Sequence, residues 1–219
     1  MVRRAESRPD GELVVVTGSA GSGKTLFSMT RYGRAARLLV WDSHFEWSAH
    51  GAAPVGSLGA LAARCTSADP WQLAYTGPAN RKTFPVFCRV ALCAMKLEPC
   101  TVVVEELAEV THAGKAPDDW GELIRWTRKL GGRLVGITQR PAESDKTLIG
   151  NAHLIACHAM SRADDAEYMA KLLRTPVAVV DSLDRVLLER LEWRPDGSVI
   201  RKTTRRPAAA RTAVASRSV

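Results

Sequence analysis

The chain has 219 residues, enough for one well-cored α/β domain with additions. Its 46% hydrophobic and 25% charged content is that of a globular protein, and no apolar run approaches the ~20 residues that span a bilayer. The formal net charge of +8 suits a polyanionic partner, but seven basic residues against one acid between Arg194 and Val219 carry most of it, so charge alone does not describe a basic channel in the body.

The five cysteines are odd in number and form no C-x-x-C pair, which argues for reduced, mostly buried thiols and against a zinc site or a disulfide framework. Residues 1–10 read as a polar arm with no apolar core, so no secretory leader is expected there.

In chain order, Glu12-Leu-Val-Val-Val-Thr17 is a short β-branched run of buried-strand type. It leads into Gly18, Ser19, Ala20, Gly21, Ser22, Gly23, Lys24 and Thr25, which fit the phosphate-binding pattern G-x-x-x-x-G-K-[ST]. Glycine turns let consecutive backbone N–H groups point at phosphate oxygens, and the helix that follows adds the positive end of its dipole. Lys24 then reaches the β- and γ-phosphates of ATP, and the Thr25 hydroxyl holds Mg²⁺. The bland alternative is a chance match in a glycine-containing turn. A strand before the motif and a helical continuation over Leu26–Tyr32, with Gly33 as its stop, make the match specific.

Further strands are expected at Arg37–Trp41 and Trp71–Tyr75, with a short helix near Leu58–Arg64 between them. Phe84–Met95 reads as a helix with Val86, Phe87, Val90, Ala91 and Ala94 inward. The apolar strand Thr101–Val104 runs straight into Glu105 and Glu106. Strand ends of a parallel sheet are where a ligand crevice opens. Glu105 is therefore placed on the Mg²⁺ side and Glu106 as the group that polarises attacking water. Their plain reading is two solvated acids opening the next helix.

Asp118–Leu130 has helical spacing at Trp120, Leu123, Ile124, Thr127 and Leu130, acids in its first turn and bases in its last. Arg125, Arg128 and Lys129 lie on its polar side. Taken alone they are better read as helix-end cations than as arginine fingers for a neighbour's nucleotide. Arg133–Thr138 is another strand, closed by Gln139, which either reports hydrolysis to the γ-phosphate or simply precedes the Pro141 turn.

His153–Cys157 is a strand, and Ser161-x-x-Asp164 resembles a capping box opening a helix to Arg174. Val186–Trp193 and Ser198–Lys202 flank Pro195-Asp-Gly197 as a hairpin. Residues 203–219 are low-complexity and basic. These elements imply an α/β fold, a P-loop NTPase of RecA/FtsK-like type: a mostly parallel sheet flanked by helices, with a C-terminal hairpin and basic tail. The expected organisation is an arm at 1–10, an ATPase domain at 11–193, and a hairpin strand with tail at 194–219.

Four segments together resemble the HerA/FtsK superfamily of DNA-pumping ATPases: Gly18–Thr25, Asp42-Ser-His-Phe-Glu46-Trp47, Val102–Glu106 and Thr138-Gln-Arg-Pro141. The length is most similar to the genome-packaging ATPases of membrane-containing icosahedral viruses, the tectivirus type. That resemblance implies an ATP- and Mg²⁺-dependent hydrolase that forms a ring, hexameric in such pumps, around double-stranded DNA. It implies Gln139 as the sensor and moves Arg128, and Arg125 after it, towards a finger acting in trans. It also implies docking on a capsid vertex or viral membrane protein, and a location in the host cytoplasm or at the packaging vertex. The acid pair departs from the usual Asp-Glu, which leaves the division of labour between Glu105 and Glu106 open. A cellular or plasmid DNA pump, a filamentous-phage morphogenesis ATPase and a small-molecule P-loop kinase remain as alternatives.

Overall fold

The computed structural model describes residues 10–204. The polar arm up to Pro9 and the basic tail beyond Thr204 lie outside the described residues. The first half of the described chain runs β1 (Glu12–Thr17), α1 (Lys24–Tyr32), β2 (Arg37–Trp41), α2 (Glu46–Ala49), β3 (Ala53–Val55), α3 (Leu58–Cys65), β4 (Trp71–Tyr75) and α4 (Phe84–Leu97). It continues with β5 (Thr101–Val104), α5 (Leu107–Val110), α6 (Asp118–Lys129), β6 (Arg133–Thr138), α7 (Lys146–Gly150), β7 (Leu154–His158), α8 (Ala163–Leu173), α9 (Val177–Asp181), β8 (Glu189–Trp193) and β9 (Val199–Thr203).

The strands form one sheet in the order β3-β4-β2-β5-β6-β1-β7-β8-β9. Pairing is parallel from β3 through β7 and antiparallel for β7–β8 and β8–β9. A parallel sheet needs cover on both faces, and its central strands are apolar at every position for that reason. Alternation divides them between two cores. Leu13, Val15, Leu39, Trp41, Val102 and Val104 face the side packed by α3, α4, α6 and α8. Val14, Val16, Leu38, Val40 and Val103 face Phe27 and Tyr32 of α1 and Trp47 of α2.

Helix α4 follows the 3.6-residue period, with Phe84, Phe87, Ala91 and Met95 buried and Pro85 in its first turn, where the missing N–H costs nothing. Helix α6 buries Trp120, Leu123, Ile124 and Thr127 and ends in Arg128 and Lys129.

Two local expectations differ from the structure. Ser161 does not cap α8: Arg162 is the residue before the helix, and it makes no side-chain cap. Asp164 and Asp165 are engaged instead by Arg162 and Arg140, and Asp165 accepts from the Ala142 amide. Val186–Leu188 are not strand. The Asp184 carboxylate accepts from the amides of Val186 and Leu187, folding these residues into a turn before β8 begins at Glu189.

Candidate nucleotide site

The strand order decides which side chains meet. β1 delivers the glycine loop at its C-terminal end, and β6 lies between β1 and β5. At about 4.8 Å per strand, the acids after β5 stand roughly 10 Å from the loop, with Gln139 at the end of β6 in the gap. The result is a cavity of about 330 Å³, whose lining includes Gly21, Gly23, Lys24, Thr25, Glu46, Glu105, Glu106, Gln139 and Leu188.

The loop needs its glycines where the chain is crowded and left-handed. Gly18 has φ 148°, and a Cβ there would come within 2.6 Å of Ser22 Oγ and 2.7 Å of His158 Cβ. Gly23 (φ 97°) precedes the first turn of α1, and its missing Cβ leaves room for Leu188. Ser19 is tied to Ala159 at the end of β7 by its amide (2.9 Å) and hydroxyl (3.0 Å).

His158 closes the floor. Its Nδ1 lies 3.0 Å from the Ser22 carbonyl, so that nitrogen carries the proton, and its Nε2 is buried without a partner. Burial, with Arg190 and Lys24 adding to it against the Ser22 bond, pushes the imidazole down to about 4. The ring is neutral at physiological pH.

Lys24 is buried, and its Nζ donates to the Ser19 carbonyl at 3.0 Å. Burial lowers its pKa, against the opposing pull of Glu106, Glu46 and Glu105. Glu105 is 4% exposed. Its Oε1 accepts the Trp47 indole N–H at 3.0 Å, and its Oε2 is buried with no partner. Burial first, then Glu46 and Asp42, push its carboxyl up to about 8. The Asp42 carboxylate accepts from the amides of Trp47 (3.2 Å) and Ser48 (2.8 Å) and so seats α2, which carries the indole.

Glu106 has φ 46° and opens α5, and Gln139 Nε2 donates to its Oε1 at 2.6 Å. Non-glycine residues of positive φ gather here: Phe45 between His44 and Glu46, then Glu106 and Leu188. Such conformations are held against their own cost by the surrounding structure, and they concentrate at ligand sites.

Of the expected loop residues, Ala20, Gly21, Gly23, Lys24 and Thr25 border one cavity with Glu105, Glu106 and Gln139, whereas Gly18, Ser19 and Ser22 do not line it. Nor do Arg125 and Arg128. Both are exposed on α6, and the Arg128 carbonyl accepts from the Gly11 amide at the start of β1. β1 has six residues, so Arg128 stands roughly 20 Å from its own loop. Arg140 of the Thr-Gln-Arg-Pro segment is held by Asp165 at 3.0 Å and by Glu143, as a tie to α8.

Residues not singled out as functional from the sequence also lie here. His44 and Leu188 line the cavity, His158 braces the Ser22 carbonyl of the loop, and Arg185 donates to the Ala20 carbonyl. Leu188, His158 and Arg185 come from segments distant in sequence and no local pattern marks them, whereas His44 and Trp47 lie inside the Asp42–Trp47 motif.

Mg²⁺ fits the residues present. Glu105 Oε2 is buried without a partner on the cavity that Thr25 also borders, and a cation bound there would favour the ionised carboxylate that burial disfavours. No group of three or more His, Cys, Asp or Glu that could hold a metal occurs among the described residues. A site made by one hydroxyl, one carboxylate, water and the substrate's phosphates does not require one.

Fold and cavity together define a P-loop NTPase. No family model matches the chain. It is 29% identical over 187 residues to Protein P9 of Pseudoalteromonas phage PM2, covering 84% of this chain and 85% of that protein. Among solved structures, the genome packaging NTPase B204 of Sulfolobus turreted icosahedral virus 2, in complex with ATP-gammaS, matches with a TM-score of 0.73 at 16% identity, over 89% of this chain and 98% of that one. VirB4 of Thermoanaerobacter pseudethanolicus matches with a TM-score of 0.62 at 11% identity, over 94% of this chain and 92% of that one. The resemblance to HerA/FtsK-type ATPases, and among them to viral genome-packaging ATPases, is borne out.

Proposed function

We propose that this chain hydrolyses ATP in a ring of its own copies and uses the energy to move double-stranded viral DNA into a preformed capsid. The observation that carries this reading is the meeting of Lys24, Thr25, Glu105, Glu106 and Gln139 in one cavity, in a chain similar over most of its length to a phage protein and, in fold, to a genome packaging NTPase.

Backbone N–H groups of Gly18–Thr25 and the start of α1 cradle the phosphates, and Lys24 leaves the Ser19 carbonyl to contact the β- and γ-phosphates. Mg²⁺, when bound, neutralises charge on the β- and γ-oxygens. Thr25 would offer it a hydroxyl ligand, and Glu105 would hold it from the other side through Oε2 by way of water. Glu106 accepts a proton from the attacking water. The water oxygen bonds to the γ-phosphorus, the bond to the β–γ bridging oxygen breaks, and ADP and phosphate result. Gln139, bonded to Glu106 before reaction, exchanges that bond for one to water or the γ-phosphate and so reports the state of the site to β6.

Arg128, with Arg125 one turn earlier, acts on the nucleotide of the neighbouring copy, because it stands too far from its own. The protein works in the host cytoplasm and at the packaging vertex, against a capsid or membrane-protein partner.

The test is ATP turnover with and without duplex DNA, alongside particle mass in solution. Stimulation by DNA in a multimeric particle, lost in Lys24→Ala, is expected. A monomer whose turnover ignores DNA would overturn the packaging reading.

A further inference from the structure

The Asp42–Trp47 segment takes no part in the reaction described above, yet the sheet sets it beside the acids. β2 pairs with β5, Trp41 against Val104, so the residues that follow the two strands leave the sheet side by side. The Glu105 amide donates to the Trp41 carbonyl at 3.2 Å. Asp42 then turns the chain into α2, its carboxylate accepting from the amides of Trp47 and Ser48, with Phe45 held at φ 60° before the helix. The Trp47 carbonyl accepts from the amides of His50 and Ala52, each at 3.1 Å. The indole is fixed by these bonds and by burial in the core with Leu38, Val40 and Ala52.

What the indole reaches is Glu105. A second buried pair of this kind shows by contrast what that contact does. Trp120 Nε1 donates to Asp145 Oδ2 at 3.0 Å, but that carboxylate is fully used: Oδ1 accepts from the Thr147 amide, Oδ2 also accepts from the Leu148 amide, and Asp145 does not line the nucleotide cavity. It caps α7. Trp47 Nε1 donates to Glu105 Oε1 at the same 3.0 Å, and there Oε2 is left buried with no partner, on a residue that lines the cavity. The terminal torsion of a glutamate is broad, so a donor on one oxygen fixes the carboxylate plane and decides which oxygen stays free.

We propose that Trp47 is a positioning residue for metal binding: its N–H occupies one oxygen of Glu105 so that the other is presented to the Mg²⁺ of the nucleotide complex, and Asp42 sets the indole by seating α2. The inference rests on the reading of Glu105 as the acid on the Mg²⁺ side. Partners that orient a metal's ligands typically change its affinity by about 10–100-fold when they are lost.

The experiment titrates Mn²⁺, a paramagnetic stand-in for Mg²⁺, into the full chain with a non-hydrolysable ATP analogue and reads free Mn²⁺ by electron paramagnetic resonance. Affinity for the analogue is measured separately in EDTA. Trp47→Phe keeps an aromatic ring and removes the N–H. Its Mn²⁺ affinity should fall at least about tenfold, with metal-free analogue affinity unchanged. Asp42→Ala, which alters no residue lining the cavity, should do the same. Adding Trp47→Phe to Glu105→Gln should cost nothing further, because the indole acts only through that carboxylate. Unchanged Mn²⁺ affinity in Trp47→Phe, losses that add in the double variant, or an equal loss of metal-free analogue binding would overturn the proposal. Unchanged Mn²⁺ affinity in Glu105→Gln alone would overturn the reading of Glu105 beneath it.

Discussion

Replacing His158 with asparagine tests the floor of the phosphate loop. Asparagine places an N–H near the position of Nδ1, keeping the bond to the Ser22 carbonyl, and removes the titrating ring. Folding lowers this imidazole from 6.5 to about 4. The unfolded chain therefore binds more protons than the folded one between those values, so stability is complete above pH 6.5 and is lost as pH falls towards 4. At 1.36 kcal/mol per pH unit the whole difference is ~3 kcal/mol, most of which is gone by pH 4.5. Urea unfolding of wild type and His158→Asn at pH 7.5 and 4.5 reads it directly. The wild type should lose about 2–3 kcal/mol more than the variant between the two conditions, at equal m-values. Parallel losses in the two proteins would refute the claim that a neutral, buried His158 supports the loop.

Glu106→Gln should retain ATP while turnover falls by at least about 100-fold, because the amide keeps the size and loses the base; ATP trapped by Glu105→Gln instead, with Glu106→Gln still turning over, would reverse the two roles. Arg128→Ala should leave ATP affinity nearly unchanged while turnover falls on the order of 10³-fold, and mixing it with Glu106→Gln should restore some hydrolysis. Rings that form without any rescue would reduce Arg128 to a helix-end cation. Truncation after Thr204, which spares β9, should lower the slope of duplex affinity against salt by up to about 0.9 in log–log terms for each phosphate the tail no longer neutralises, with DNA-independent ATPase intact. Identical slopes in a salt series would instead assign the tail to a protein partner.

The central strands were legible because a parallel sheet buries both faces, and Val14–Val16 and Val102–Val104 are apolar throughout. The long helices α4 and α6 were legible from their period. Helices α2, α5, α7 and α9 have four or five residues each, too few to show one. β3 has three residues, one of them Pro54, and it pairs with β4 at the sheet's edge, where proline is tolerated. In the site, the loop and the paired acids announce themselves because each lies within one contiguous segment. Trp47 with Glu105, His158 with Ser22 and Leu188 with Gly23 are meetings across 58, 136 and 165 positions made only by the strand order.

The last described residue has a mechanical consequence. Thr204 donates its amide to the Leu188 carbonyl, and its hydroxyl accepts from Arg190 Nη1 at 2.7 Å. The Arg190 guanidinium lies 4.5 Å above the ring of Phe27 in α1, the helix that begins at Lys24. Thr204 is thus held at two points, one on the turn beside the loop and one, through Arg190, on the helix the loop feeds. A force applied at Thr204 would therefore reach the turn beside the loop and helix α1 together.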